Sequence, residues 1–254
     1  MQTARRIALI LLALLFLPLG VSAAGLALQE DRPRSWSGAR WDSTGLAPDP
    51  TKNSEAAIQV YAARVWGWRG AFAVHTWIAV KPEGADGFRR FEVVRWSSPN
   101  VRERYGQPDT RWAGNEPELL LDIRGPRATE LIPRVLQAIA EYPHADRYVM
   151  WPGPNSNTFT AHIGRSVPEL GLSLPPTAVG KDFIAEGMPI GTAPSGHGVQ
   201  LSLFGLAGLT LAPAEGIELN LLGLTLGIDL LRPALKLPGI GRIGMAAETG
   251  REGS

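Results

Sequence analysis

The stretch AVHTWIAVK, residues 73–81, decides the fold of this chain. It is rich in β-branched and aromatic residues, a composition that predicts a strand. A loop containing Pro, Gly and Asp follows at 82–87, and FRRFEVVRW (88–96) then has the same strand character. Two such runs joined by a short loop predict a hairpin. An antiparallel sheet is therefore expected at the centre of the fold.

The flanking segments add strands and helices. Residues 57–66 alternate apolar side chains, which favours a strand, although a helix is also defensible. A short buried strand is expected at 119–123 and another strand at 147–151. Between them, apolar residues follow a helical period to about 140, and Pro133 favours a start near Thr129 or later. The fold class is thus α+β.

The segment WPGPNSNTF (151–159) turns the chain into a short helix that begins at Ser156. The N-terminus of a helix leaves backbone N–H groups unpaired and carries a partial positive charge. A nucleophile there has its anion stabilised, and neighbouring N–H groups serve as oxyanion donors. Ser156 is thus a candidate nucleophile, although Ser at such a position is also typical of a helix cap.

His75, on the predicted strand 73–81, is the candidate base that takes the proton from Ser156. The amides of Asn155 and Asn157 flank Ser156 and are candidate oxyanion donors, or else turn and capping residues. Trp77, in the same strand as His75, is a candidate binding residue.

The composition excludes several classes of site. The formal net charge is +1 and no Lys/Arg run lies beyond the N-terminal cluster, so no nucleic-acid partner is expected. Cysteine is absent, which excludes disulfides, thiolate nucleophiles and Cys-ligated metals. His144 and His197 lack partners at a metal-ligand spacing, so neither metal nor cofactor is expected.

The first 28 residues have the pattern of an export signal. Arg5 and Arg6 precede an uncharged apolar run, and small residues follow at 21–24. This predicts either a signal peptide cleaved near Ala23 or Ala24, or an uncleaved membrane anchor. Both place the body outside the cytoplasm, because the arginines stay on the inner side.

The rest of the chain divides by composition. Residues 29–55 are rich in Asp, Pro, Ser and Gly and predict a linker or arm. A single domain is expected over 56–245, with the candidate site in 56–170 and a β-rich extension in 171–245. A flexible tail is expected at 246–254.

The extension alternates apolar and polar residues from about 199 to 230, which predicts an antiparallel meander with one apolar face. We expect that face to pack on the central domain. Two alternatives are a groove for an acyl chain and contact with a membrane surface.

From about Tyr61 to Gly244 the chain resembles the bacterial DUF3750 family, a domain of unknown function. The motifs that carry the resemblance are WGWRGAFAVHTWIAVK (66–81), LLLDIRG (119–125), WPGPNSNTF (151–159) and IELNLLGLTLGID (217–229). This resemblance implies no known activity. For an exported bacterial protein it implies a location in the periplasm or at the outer face of the inner membrane.

The order of a strand His before a helix-N-terminal nucleophile also resembles, more distantly, the circularly permuted papain-like, NlpC-related amidases and acyltransferases. The resemblance implies a permuted papain-like core in which His75 is the base and Ser156 stands where the family has Cys. It further implies that Glu92, on the return strand, orients His75. The departure from Cys to Ser leaves two possibilities, a serine nucleophile or a cleft that binds without reacting.

The sequence therefore predicts an envelope hydrolase or acyltransferase acting on an amide or ester through Ser156 and His75. The alternative is a non-catalytic binding or structural envelope protein with a degenerate cleft. The expected partner is a small molecule, peptide or lipid of the cell envelope, and membrane association would occur through the N-terminal segment. Nothing in the sequence specifies an oligomeric state.

Overall fold

The computed structural model describes residues 2–29, 35–184 and 187–247. The predicted tail lies outside these residues from 248 onward, as do residues 30–34 of the predicted linker. The helices are α1 (Gln2–Ala27), α2 (Pro126–Ala140) and α3 (Ser156–Ser166). The strands are β1 (Ala57–Arg64), β2 (Val74–Lys81), β3 (Phe88–Val93), β4 (Val101–Gly106), β5 (Pro117–Arg124), β6 (Ile190–Gly191), β7 (Val199–Leu203), β8 (Ala207–Ala212), β9 (Gly216–Leu221), β10 (Leu224–Asp229), β11 (Ala234–Leu237) and β12 (Gly241–Gly244).

The first sheet has the strand order β4-β3-β2-β1-β5, with every neighbouring pair antiparallel. Helices α2 and α3 pack on one of its faces. Alternate strand residues point to that face and form the main core with the helices. The predicted α+β class and the hairpin of β2 and β3 are confirmed.

The opposite face of this sheet carries an aromatic cluster that includes Tyr61, Trp77 and Trp112. The described part of the 29–55 segment packs over this cluster, since the rings of Trp36 and Trp41 meet Trp112 edge-on. Asp109 holds this segment in place by accepting hydrogen bonds from Ser43, Leu46 and Ala47. Residues 35–47 are thus an arm that covers the sheet.

Two local expectations were wrong, and one strand was not expected. Helix α2 begins at Pro126, whose missing N–H costs nothing in the first turn. Residues 147–151 form no strand, because the Val149 N–H turns back to Pro154 O, 2.7 Å away, and not to a neighbouring strand. Strand β4 was missed, because its residues VRERYG are mostly polar and largely exposed at the sheet edge.

The second sheet has seven antiparallel strands in the order β12-β11-β10-β9-β8-β7-β6, the predicted meander. The expectation that its apolar face packs on the central domain was wrong. Polar residues point inward, including Gln200, Thr210, Glu218 and Lys236, all buried, while the alternating aliphatic residues are exposed. The apolar face therefore does not pack on the central domain.

The buried face is polar because it completes an ionic network. The Lys181 ammonium contacts Glu218 and lies 3.4 Å from Asp182, and Lys236 Nζ lies 2.7 Å from the other Glu218 oxygen. Asp182 also accepts hydrogen bonds from the amides of Gln200, at 2.7 Å, and Asn220, at 2.6 Å. Charges removed from water need such partners, so these contacts hold the second sheet on the body.

Helix α1 is long and apolar enough to cross a membrane over Leu9–Ala27, with a mean hydropathy of 2.5. One helical stripe of α1 packs on the body through Leu15, Pro18 and Leu19. Ser22 Oγ lies within hydrogen-bond distance of Ala71 O and, at 3.0 Å, of Gly239 O. An N-terminal apolar helix of this kind fits a signal peptide or a membrane anchor.

We expect Glu218→Gln to lower the free energy of unfolding by about 3–5 kcal/mol, because it leaves two buried ammonium groups short of a counter-charge. Urea denaturation of the detergent-solubilised chain measures this change. The matched control is Glu103→Gln, which breaks the exposed ion pair with Arg89 and should cost under about 1 kcal/mol. Equal effects of the two substitutions would show that the network does not hold the second sheet.

Candidate functional site

A cavity of about 650 Å³ lies where the first sheet, the start of α3, the second sheet and α1 meet. His75 and Ser156 both line it, and so do Asn155 and Asn157. The remaining lining is largely apolar, from Leu19, Trp36, Val65, Trp66, Trp68, Phe72, Trp96, Trp112, Tyr148, Met150, Trp151, Leu222 and Leu224 among others. Such a cavity suits a ligand with a sizeable apolar part and one polar reacting group.

His75 and Glu92 meet across the hairpin of β2 and β3. His75 Nε2 lies 2.9 Å from Glu92 Oε2, and both side chains are buried. Arg90 approaches the same carboxylate at 2.8 Å and Arg102 at 2.6 Å. The structure thus brings together the predicted base and its predicted orienting residue, and adds two arginines.

The charges of this cluster decide how the imidazole is protonated. Burial by itself raises the pKa of Glu92, but the hydrogen bond to His75 and the charge of Arg90 lower it well below its ordinary value. Glu92 is therefore ionised and accepts hydrogen bonds only, so Nε2 of His75 carries the proton. Burial lowers the pKa of His75 from its ordinary 6.5, although Glu92 acts to raise it.

The neutral imidazole consequently keeps a lone pair on Nδ1, which is the atom a general base needs. Among the described residues no hydrogen-bond partner contacts this nitrogen. The Trp112 ring stacks on the imidazole with centroids 3.7 Å apart and an interplanar angle of 16°. Glu92 and Trp112 together hold the ring in one orientation.

Trp77 has a different position from the other candidates. It is fully buried, its Nε1 donates to Pro108 O at 2.8 Å, and the guanidinium of Arg90 lies 4.1 Å from its ring centroid. It is absent from the cavity lining. Trp112, Trp36 and Trp96 line the cavity in its place. The number of tryptophans in the sequence was a signal for this cluster, but their spacing did not indicate which rings meet.

Ser156 is the first residue of α3, and Asn155 is the N-cap. The Asn155 side chain accepts from the N–H groups of Asn157, at 2.9 Å, and Thr158, at 3.3 Å, while Thr158 Oγ1 accepts from Asn155 N–H. This reciprocal arrangement is a capping box. The capping role, one alternative for Ser156, thus falls to its neighbour.

The amide groups of the two asparagines are already engaged. Asn155 Nδ2 donates to Met150 O and Val179 O, and Asn157 Nδ2 donates to Val74 O and Val179 O. The backbone N–H of Ser156, in contrast, has no acceptor among the described residues. That N–H group, at the start of α3, is therefore a candidate donor to an oxyanion in this cavity.

Strand β2 and helix α3 are tied together on both sides of His75. Asn157 Nδ2 lies 3.0 Å from Val74 O, and Thr76 Oγ1 lies 3.3 Å from Ser156 O and 3.0 Å from Asn157 Oδ1. Thr76 and His75, as consecutive strand residues, point to opposite faces of the sheet. Within the described residues no hydrogen bond joins His75 to Ser156; the two share the cavity.

Across residues 2–29, 35–184 and 187–247, no three His, Asp or Glu side chains are grouped so as to hold a metal ion.

We expect Glu92→Gln to lower the pKa of His75 further, because burial and the charges of Arg90 and Arg102 then act without the opposing carboxylate. Imidazole ¹⁵N NMR titration of the full chain in detergent measures this pKa, with the His75 signals assigned by their loss in His75→Gln. Glu103→Gln, on the neighbouring strand, should leave the titration unchanged. A His75 pKa that stays constant or rises in Glu92→Gln contradicts the assigned pairing.

A family model described as "Protein of unknown function (DUF3750)" matches residues 55–183, just over half of the chain. The match ends before the seven-stranded sheet, so the motif at 217–229 lies outside it. Searches of curated proteins and of solved structures each found no match, and the resemblance to permuted papain-like enzymes is not confirmed. The matched span contains His75, Glu92 and Ser156, and by this match the chain belongs to the DUF3750 family.

Proposed function

We propose that this protein is a cell-envelope hydrolase or acyltransferase that cleaves an amide or ester bond with Ser156 as nucleophile. The observation that carries the proposal is that His75 lines the same cavity as Ser156 at the start of α3. His75 is held by the buried Glu92 carboxylate, and none of the described residues bonds its second ring nitrogen. Nucleophile, base, orienting group and oxyanion donor are the four parts that acyl transfer needs.

In the proposed reaction, Ser156 Oγ attacks the carbonyl carbon of the substrate while His75 Nδ1 accepts the hydroxyl proton. The negative charge on the carbonyl oxygen is stabilised by the Ser156 N–H and the helix N-terminus. Collapse breaks the amide or ester bond, and His75 returns the proton to the leaving nitrogen or oxygen. Water or an acceptor alcohol then releases the acyl group from Ser156 by the same steps in reverse.

A serine hydroxyl is a weak nucleophile, so this chemistry requires a preorganised site. The contacts of Thr76 and Val74 with the first turn of α3 supply that rigidity. Because Ser156 and His75 are not hydrogen-bonded in the ligand-free chain, the pair would have to close on the bound substrate. Looser contacts before substrate binds are common in active sites.

The apolar lining of the cavity favours a substrate with an apolar acyl portion, and a lipid ester fits it better than a peptide. We place the reaction at the periplasmic face of the inner membrane. The contacts of Ser22 and Leu19 with the body support α1 as a retained anchor over a cleaved signal.

An activity-based fluorophosphonate probe should label the full chain at Ser156, and Ser156→Ala should abolish labelling. His75→Gln should slow it by about 10²- to 10⁴-fold, the usual contribution of a general base. Ser166→Ala, at the other end of α3, is the matched control and should label normally. Intact-protein mass spectrometry reads out the modification. Absence of labelling in the wild-type chain would refute Ser156 as the nucleophile.

The labelling rate should fall with acidification through the His75 pKa, which lies below 6.5. The sign follows because protonated His75 cannot accept the Ser156 proton, whereas the neutral ring near physiological pH can. Rates measured across the acidic range, with the ligand-free fold monitored by circular dichroism, test this. A rate that rises towards acidic pH contradicts His75 as the base.

A second candidate is an apolar-ligand binding protein that does no chemistry. The absence of a His75–Ser156 hydrogen bond among the described residues favours it, as does the engagement of both asparagine amides in structural contacts. Trp36, Trp96 and Trp112 line the cavity, so fatty acid binding should change tryptophan fluorescence. Saturable binding together with an unlabelled Ser156 would establish this alternative.

A further inference from the structure

We propose that the exposed apolar face of the seven-stranded sheet lies in a lipid bilayer, beside α1, as a second membrane contact of the chain. The proposal does not depend on the chemistry of Ser156.

The register of the sheet aligns aliphatic residues across six strands. Pairing runs Val199–Leu211, Leu211–Ile217, Ile217–Ile228, Ile228–Leu235 and Leu235–Ile243, so these six side chains share one face. Each is 40–53% exposed. Leu201 and Leu209 form a parallel row beside them. This face is contiguous and has no polar strand residues, unlike the usual surface of a soluble domain.

The sheet cannot hide this face by turning over. Its other face carries Glu218 and Lys236, which complete the ion-pair network with Lys181 inside the protein. If the sheet were turned over, its aliphatic residues would point inward against those charges and the ion-pair network would be broken. The outward orientation of the apolar row is therefore fixed by the fold, and the row requires an apolar partner.

The position of α1 identifies lipid as that partner. The apolar span of 19 residues is about 28 Å long, which matches the hydrocarbon core of a bilayer of about 30 Å. All three body-facing residues lie within that span: Leu15 is buried, and Leu19 and Ser22, both in its second half, contact Gly239. Body elements that touch these residues must therefore reach hydrocarbon depth in the adjoining leaflet.

The elements that touch α1 are the helical turn Gly67–Ala71 before β2, strands β10 and β11, and the turn after β11. Gly239, in the turn between β11 and β12, packs against Leu19 and Ser22, and α1 also contacts β10 and β11. The exposed side of α1 adds Leu12, Phe16 and Leu17 to the same apolar environment. Strand pairing satisfies the backbone of the inner strands, which lipid requires.

The absence of cysteine allows a direct test with single-cysteine variants of the full chain. Leu209→Cys and Leu235→Cys report on the sheet face and Leu14→Cys on α1, whereas Glu103→Cys on β4 and Glu130→Cys on α2 report on exposed positions outside both. Each variant is labelled with an environment-sensitive NBD fluorophore and reconstituted into phosphatidylcholine/phosphatidylglycerol vesicles, with and without doxyl-labelled lipid. All five positions are exposed, so labelling should leave the fold intact.

We expect the two sheet positions to give blue-shifted emission and severalfold stronger quenching by doxyl lipid than Glu103→Cys and Glu130→Cys. Water-like emission at the sheet with lipid quenching only at Leu14→Cys would overturn the proposal and leave α1 as the sole anchor. Blue-shifted but unquenched sheet positions, dependent on protein concentration, would also overturn it and identify a second copy of the chain as the cover. Lack of quenching at every position would likewise contradict it.

Discussion

A carboxylate removed from water must be matched by cations and hydrogen-bond donors, and this constraint organises both sheets of the molecule. In the first sheet Glu92 is fully buried and holds Arg90, Arg102 and His75 around it. In the second, Glu218 is held between Lys181 and Lys236. The first cluster orients the imidazole, and the second fixes which face of the meander points inward.

The functional consequences of the two clusters differ. Around Glu92 the arginines keep the carboxylate ionised, so it can only accept, and the proton of His75 is confined to Nε2. Nδ1 has no hydrogen-bond partner within the described part of the chain, and His75 lines the cavity at which α3 begins. The hydrogen bonds of Val74 and Thr76 to the first turn of α3 hold the start of this helix against strand β2, next to His75.

Around Glu218, the need to pair a buried carboxylate determines which side chains of the second sheet reach the surface. The polar side chains of the meander point inward to the ion-pair network, so its aliphatic side chains face outward. They lie next to a helix of membrane-crossing length. The cavity lies between these features, lined by Leu19 of α1 and by Leu222 and Leu224 of the meander. A cavity so placed would receive an apolar substrate from the lipid side, which links the two proposals without making either depend on the other.

The sequence by itself determined the central hairpin, the helix at Ser156, the meander and the apolar N-terminal helix. Each of these follows from local periodicity or from Pro and Gly at turns, and such signals need only neighbouring residues. The pairing of Glu92 with His75 was expected only from the resemblance to permuted papain-like enzymes, and the structure shows the contact at 2.9 Å. Tertiary structure alone decided which of the tryptophans line the cavity, that Arg90 and Arg102 surround Glu92, and that Asn155 caps α3. It also decided that the meander turns its apolar face outward. A period of two distinguishes the faces of a strand, but the buried one is chosen by partners distant in the chain, here Lys181 and Asp182.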